Sequence, residues 1–270
     1  MHPSLLPHYR GAAPIHHVLL DDQRRTGVSV IEIHPEQFDS GKILAQCPVS
    51  IYETDSYATL RERLSVVGAD LVLQTIKDLP RKVRNSSSQA QFIPPGKELS
   101  DCPAAPKIMK EVNAIFPYFN PTNSLKLHSS PWYPQMRSFE LNGVSSRTLF
   151  NRVRALAVNP GLAFMLHPQS VRVKILSVAP PLDDKHRPDI IDGQPCLQEL
   201  PKCFQNQERA PEGTLQYDRV TKSLWVKTAD GWLQILKIQV QQRRAKSGKV
   251  FASDIHMTSG AKIVKLTKAE

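Results

Sequence analysis

Proline removes a backbone donor and pushes the preceding residue away from helical geometry, so a cluster of prolines limits how far any regular element can run. In this chain of 270 residues, Pro94, Pro95, Pro103, Pro106, Pro117, Pro121 and Pro131 all fall between Arg81 and Asn142, together with Asn85-Ser-Ser-Ser88 and the Pro94-Pro-Gly96 turn signal. No long helix or strand fits through such a stretch. Residues 81–142 therefore read as an extended linker with inserted irregular loops, and Ala105-Pro-Lys-Ile108 as an ordered stop along it. That leaves two patterned segments, 1–80 and 143–265, each long enough to bury a core.

The first segment mixes helix and strand. Pro14 suits the first turn of a short helix reaching about Leu20. Thr26-Gly27 punctuates, residues 28–33 read as a β-branched strand, 34–41 as a loop and 42–51 as a second strand, so that a hairpin with a long tip displays Asp39. Asp55 or Ser56 can cap a helix from Tyr57 to about Leu79, ending at Pro80, because Leu60, Leu64, Val67 and Leu71 recur at helical spacing. These elements alone would leave a large apolar face uncovered.

In the second segment, Ser145 or Ser146 can cap a helix with Leu149, Val153 and Leu156 on one face, ending before Asn159-Pro-Gly161. Residues 162–166 and the alternating 171–175 follow as strands. Residues 183–211 form a Pro- and charge-rich surface excursion. Strands at 213–217, 223–228 and 232–240 come next, the last two joined by Asp230-Gly231, a hairpin signal. Short strands with one helix predict a small β-barrel in which Trp225 and Trp232 serve as core.

Charge separates the two segments. The formal net charge is +10, yet residues 145–270 carry 20 Lys/Arg against 11 Asp/Glu, while the first 144 are nearly balanced at 15 against 14. A basic C-terminal segment beside a neutral one fits a polyanion-binding module attached to something else. No window reaches about eighteen consecutive apolar residues, so no membrane partner is expected. Cys47, Cys102, Cys196 and Cys203 lack CxxC spacing and read as thiols of a reducing compartment rather than a disulfide framework. His16-His17 is the one close pair among nine histidines. Adjacent helical residues point about 100° apart, so no metal site is expected.

The residues that can carry chemistry open the chain. His2 lies in the proline-bounded run His2-Pro-Ser-Leu-Leu-Pro7, which continues through His8-Tyr-Arg-Gly-Ala-Ala-Pro-Ile15. An imidazole can donate to an oxygen gaining negative charge and shuttle a proton, and Asp39 could orient it or take up that proton. On composition alone a near-terminal His is a solvated residue and an Asp before Ser-Gly a turn former. No GxSxG elbow, Walker loop or GxGxxG is present.

Those two runs, followed by Thr26-Gly-Val and by Phe38-Asp-Ser-Gly-Lys-Ile-Leu44, resemble the methionyl-tRNA formyltransferase family in order and spacing. The resemblance resurfaces in Ala105-Pro-Lys-Ile108, Pro211-Glu-Gly-Thr-Leu215 and Asp230-Gly-Trp-Leu-Gln-Ile-Leu236. It implies an α/β chain: a partial Rossmann-like formyltransferase domain over 1–80, the linker over 81–142, and an OB-like tRNA-binding β-barrel over 143–265. It also implies a function, transfer of a formyl group from 10-formyltetrahydrofolate to the amino group of initiator methionyl-tRNA, with no metal and by a monomer.

In that pattern His2 is the catalytic His and Asp39 the catalytic Asp. Ser4, Leu5, Leu6, Pro7, Arg10 and Gly11 shape the folate and substrate pocket. Arg147, Arg152, Arg154, Arg172, Lys174, Arg243 and Arg244 are the candidate tRNA phosphate contacts.

Three departures qualify the resemblance. The family's catalytic Asn would stand one residue before Met1, His8 replaces a usual Arg, and residues 81–142 look long. With the first half of the nucleotide fold absent, the sequence reads as a truncated form with impaired catalysis. The insertions and divergent motif details suggest a mitochondrial matrix protein, with the cytoplasm as the alternative. The competing functions are a formyltransferase acting on a small-molecule or sugar-nucleotide amine, and a non-catalytic tRNA-binding remnant.

Overall fold

The computed structural model describes residues 1–108, 141, 143–157, 161–167, 171–185, 187–205, 210–255 and 264–268. They form two compact units, one ending at Ile108 and one containing the described residues from Leu141 onward. Most of the stretch from 109 to 142, which the proline pattern marks as linker, lies outside the described residues.

In the first unit, helix α1 (Pro14–Leu20) starts at its proline and buries Ile15, Val18 and Leu19. Strands β1 (Arg25–Ile31) and β2 (Ile43–Ser50) pair antiparallel with Val28 opposite Cys47. The strand expected at 28–33 thus begins three residues earlier, and Thr26-Gly27 lies inside the ladder instead of punctuating it. The reason is close approach, since a Cβ on Gly27 would sit 2.3 Å from the Cys47 carbonyl oxygen and 2.6 Å from Leu5 Cδ2. Ile33 falls beyond the strand and is exposed.

Helix α2 (Tyr57–Lys77) is capped by Ser56, whose hydroxyl accepts from Thr59 N while Thr59 Oγ1 accepts from Ser56 N, a reciprocal box. It buries Leu60, Leu64, Gly68 and Thr75. The helix ends at Lys77, three residues before Pro80, which instead lies in the first turn of helix α3 (Leu79–Arg84), where its missing N–H costs nothing. Val66, Leu73 and Ile76 on α2 and Leu79 and Val83 on α3 are exposed, whereas β1, expected to share an uncovered apolar face, buries Val28, Ser29 and Val30. The chain then folds back. Ser87 bridges Ile43, 3-10 turns form at Gln89–Phe92 and Leu99–Asp101, and Ala104 bridges Arg10. Residues 81–108 are therefore packed onto the first unit, whose described residues run to Ile108.

In the second unit, helix α4 (Ser146–Leu156) is capped by Ser145, which accepts from Thr148 N at 3.1 Å. Strands β3 (Leu162–His167) and β4 (Val171–Val178) precede a two-residue hairpin, β5 (Ile190–Ile191) with β6 (Gln194–Pro195), and a helical turn α5 (Lys202–Gln205). Strands β7 (Thr214–Asp218), β8 (Ser223–Lys227), β9 (Trp232–Val240) and β10 (Lys246–Ser247), helix α6 (Gly248–Asp254) and strand β11 (Val264–Lys268) complete it.

Seven of these strands make one antiparallel sheet in the order β10-β9-β4-β3-β11-β7-β8, and β8 also pairs with β9, so the sheet curls back on itself. The first half of β9 faces β8 and the second half faces β4, where the register slips near Ser177. Leu162, Phe164, Leu166, Val173, Ile175 and Ile238 alternate into the core. The excursion 183–211 is more than a surface loop, because Phe204 packs against Trp225 and Trp232 with ring centroids 5.7 and 4.9 Å away. Both tryptophans are core, as their alternation implies. Helix α6 and strands β10 and β11 are not anticipated by the sequence reading. The signal for α6 is available in Ser247, whose hydroxyl caps the helix.

Candidate active site

His2 is placed by strand β1. Its main chain exchanges two hydrogen bonds with Ser29, His2 N to Ser29 O at 2.8 Å and Ser29 N to His2 O at 2.9 Å. The following loop is tied to the same serine. Ser29 Oγ donates to Ser4 O at 2.7 Å and accepts from Leu6 N at 3.1 Å and from Gln46 Nε2 at 2.8 Å. One donor and two acceptor sites are everything a hydroxyl offers, so Ser29 is fully used. Gln46 Nε2 also donates to Leu6 O at 2.9 Å. Between these anchors the Leu6–Pro7 peptide is cis, and Tyr9 adopts φ +58°, which turns the chain back toward the imidazole.

The ring is 7% exposed, with Nε2 2.9 Å from the Tyr9 carbonyl oxygen and Nδ1 3.5 Å from Asp39 Oδ1. A carbonyl only accepts, so Nε2 carries a proton and Nδ1 is the nitrogen that faces the carboxylate. Nδ1 and Asp39 Oδ1 thus delimit a place for a proton in transit. Asp39 sits at φ +55° in the loop between β1 and β2. Its other oxygen, Oδ2, accepts from Gly11 N at 3.1 Å. Gly41 closes that loop against Glu32, so tightly that a Cβ would lie 1.8 Å from the Glu32 carbonyl oxygen.

The returning segment buttresses the other side of the loop. Tyr9 N donates to Pro103 O at 2.5 Å, Ala105 N to Arg10 O at 2.7 Å, and Ala13 N to Ala105 O at 3.0 Å. The Ala105-Pro-Lys-Ile108 stop is therefore a strap whose Ala105 is fully buried. A cavity of about 280 Å³ opens beside this loop, walled by Met1, Pro3, His16, Tyr57 and Arg61. Neither His2 nor Asp39 lines it.

Residues 1–76 match the formyl transferase family and residues 144–255 match the formyl transferase C-terminal domain. The chain carries formyltransferase N- and C-terminal domains. A methionyl-tRNA formyltransferase of Caldicellulosiruptor saccharolyticus is 25% identical over 260 residues, 96% of this chain and 64% of that protein. Another, from Wolbachia pipientis subsp. Culex pipiens, is 45% identical over 83 residues, covering 31% of this chain and 27% of its own length. The chain thus spans less than two thirds of these relatives. Among solved structures, HypX from Aquifex aeolicus in complex with tetrahydrofolic acid superposes over 94% of this chain and 34% of its own with a TM-score of 0.52. At 14% identity that likeness is one of fold.

Within the formyltransferase N-terminal domain, the residues expected to shape the pocket divide by burial. Ser4 is fully buried and its hydroxyl donates to His8 O at 2.7 Å, so it holds the loop. Leu6 is core, Leu5 packs against Gly27, and Pro7 supplies the cis peptide. Arg10 Nη2 donates to Leu99 O at 3.0 Å, which fastens the strap, while Gly11 holds Asp39.

The formyltransferase C-terminal domain corrects the set of cations. Arg152 and Arg154 are 2% and 7% exposed, and burial pushes the Arg152 guanidinium down to about 10. They belong to the packing of α4 rather than to a phosphate-facing surface, because a helix this short buries most of its circumference against the sheet. Arg147 pairs with Asp184 and lies over the Phe150 ring. Arg172, Arg243 and Arg244 are exposed and Lys174 is half-buried. These four lie together, since Gln241 N donates to Arg172 O and Lys174 faces Gln239 across the β4–β9 ladder. Lys237, on the same side of β9 as Gln239, joins this strand end and is missed by the sequence reading. Its signal is the two-residue spacing to Gln239.

Proposed function

We propose that this chain transfers a formyl group from 10-formyltetrahydrofolate to the amino group of methionyl-tRNA. The observation that carries the reading is the buried His2 imidazole, anchored through Nε2 and turning Nδ1 toward Asp39 at 3.5 Å. Support for the acceptor comes from the methionyl-tRNA formyltransferases it resembles and from the cations gathered at one end of the β4–β9 ladder.

In the reaction the neutral amine attacks the formyl carbon, and the carbonyl electrons move onto oxygen. His2 Nδ1, the ring nitrogen without a proton, takes the proton that the attacking amine releases, and Asp39 beside it stabilises the imidazolium so formed. Collapse re-forms the C=O bond and breaks the bond from carbon to N10 of the folate. The amine gives up one proton and N10 gains one, a transfer that the His2–Asp39 pair can relay with no net change in either group. Tetrahydrofolate leaves and formylmethionyl-tRNA remains. The proline-rich run in the sequence from 81 to 142 and the divergent motif details support a mitochondrial site of action, which imaging of a C-terminally tagged chain tests.

The deciding experiment supplies this chain with 10-formyltetrahydrofolate and charged initiator tRNA and follows formylmethionine. Transfer that disappears in both His2→Ala and Asp39→Ala, with tRNA binding kept, supports the reading. Unaltered transfer in His2→Ala would remove the catalytic assignment. tRNA binding without transfer would favour a binding role, and transfer only to a small amine would move the acceptor to that class.

A further inference from the structure

We propose that Gln89 is a positioning residue for Asp39, clasping the turn that presents this carboxylate to His2. Its kinetic consequence rests on the formyl-transfer reading, whereas the clasp itself rests on geometry alone.

Gln89 lies 50 residues from Asp39 in sequence, at the start of a 3-10 turn on the returning segment. It is 3% exposed although both of its chain neighbours are exposed. Its Nε2 donates to Asp39 O at 2.7 Å and to Gly41 O at 3.0 Å. Both acceptors are carbonyl oxygens, so the orientation of the amide is fixed by its partners. Each proton of the NH2 group has its own acceptor, one on either side of Ser40.

What those two bonds hold is otherwise costly. Asp39 occupies the left-handed region at φ +55°, a conformation less favourable than ordinary backbone for a residue with a side chain. Gly41 blocks movement from one side by its contact with Glu32 O. Gln89 closes the other. Its point of entry is set in turn by the two-bond bridge between Ser87 and Ile43, 2.8 and 3.0 Å long.

The amide also carries a cost that an apolar side chain would avoid. Its Oε1 is buried and has no hydrogen-bond partner among the described residues. A leucine would fill the same space without that orphan acceptor. What the amide supplies in exchange is two donors to the turn. None of its bonds goes to the Asp39 carboxylate, so it acts on the reaction only through where the turn places that group.

The test pairs Gln89→Leu, which removes both donors, with Gln89→Glu, which keeps the shape and leaves no donor when ionised and one when protonated, and compares each with Asp39→Ala in the whole chain. The readouts are steady-state kinetics and the Gly11 amide resonance, which reports the bond from Gly11 N to Asp39 Oδ2. A clasp predicts that kcat falls roughly 100-fold, as an ångström-scale misplacement does, with KM for 10-formyltetrahydrofolate within about twofold. It also predicts that the Gly11 signal moves to its position in Asp39→Ala, and that adding Asp39→Ala to either variant costs little more. Wild-type kcat with an unmoved Gly11 signal in Gln89→Glu overturns the proposal, as does an equal loss in KM and kcat with the signal in place. If the wild-type chain transfers no formyl group, the function fails, and the Gly11 signal still decides the clasp. Should Gln89→Leu not fold, the isosteric Gln89→Glu gives the answer.

Discussion

Gly11 donates its backbone N–H to Asp39 Oδ2 at 3.1 Å, and the same residue lies so close to the strap that an added Cβ would be 2.6 Å from the Ala105 carbonyl oxygen. One glycine thus joins the hairpin tip, the His2 loop and the returning segment. It does so at φ +118°, where side-chain-bearing residues are strained. Gly11→Ala is expected to destabilise the first unit by about 1–3 kcal/mol and to cut formyl transfer at least about tenfold. Urea unfolding read beside turnover checks both. Wild-type turnover in a destabilised Gly11→Ala would show that Asp39 needs no support from this amide.

The two formyltransferase domains should separate under mutation. His2→Ala is expected to lower kcat by at least about 100-fold with tRNA affinity within about twofold, because its ring meets Tyr9 and Asp39 and no surface cation. Replacing Arg172, Arg243 and Arg244 together by Ala should do the reverse. Removing a cation that neutralises one phosphate flattens the plot of log affinity against log salt by about 0.7 to 0.9. Arg152→Met should leave that slope unchanged, since the guanidinium is buried. A slope reduced as much by Arg152→Met as by Arg243→Ala would contradict the placement of these cations.

Phe204 tests the standing of the excursion. It is 1% exposed and packs between Trp225 and Trp232, so a segment with few apolar residues supplies part of the second core. Phe204→Ala is expected to cost about 3–5 kcal/mol, measured by the denaturant midpoint with tryptophan emission as the signal. A change under about 1 kcal/mol would mean that the excursion contributes little to the core.

What is legible in the sequence is local. The α2 and α4 helices follow from Leu60 and Leu64, and from Leu149 and Val153, at helical spacing, with serines at their N-caps. The β8–β9 hairpin follows from alternation around Asp230-Gly231. Motif order points to His2 and Asp39, and the structure brings them together. What is not legible depends on partners far along the chain. Gly27 belongs inside a strand because Cys47 and Leu5 crowd it, and Arg152 is core because a curled sheet closes over α4. Gln89 reaches Asp39 across a loop whose path no periodicity encodes. The strap is visible as a stop at Ala105, but its pairing with Arg10 and Ala13 is not, because backbone hydrogen bonds leave no residue-type signature.

The Asp230-Gly231 turn carries a second role, and it is pH-sensitive. Asp230 Oδ1 accepts from Ser146 N at 2.7 Å, Ser146 Oγ at 2.9 Å and Thr228 Oγ1 at 3.0 Å, so the hairpin supplies an anion to the first turn of α4. Burial pushes the Asp230 carboxyl upward, but the bonds from Ser146 and Thr228 outweigh it and hold the group below the usual 3.8. A depressed carboxylate means that the unfolded chain binds the proton more readily than the folded one. The stabilisation is therefore complete well above pH 3.8 and is lost as pH falls through the lower folded value. Asp230→Ala is expected to cost about 1 kcal/mol at neutral pH, the usual size of a lost cap. Its difference from wild type should shrink as the carboxylate of the wild type is protonated. Urea midpoints of the two proteins at several pH values test this. A difference that stays constant into strong acid would show that Asp230 acts by shape alone, without its charge.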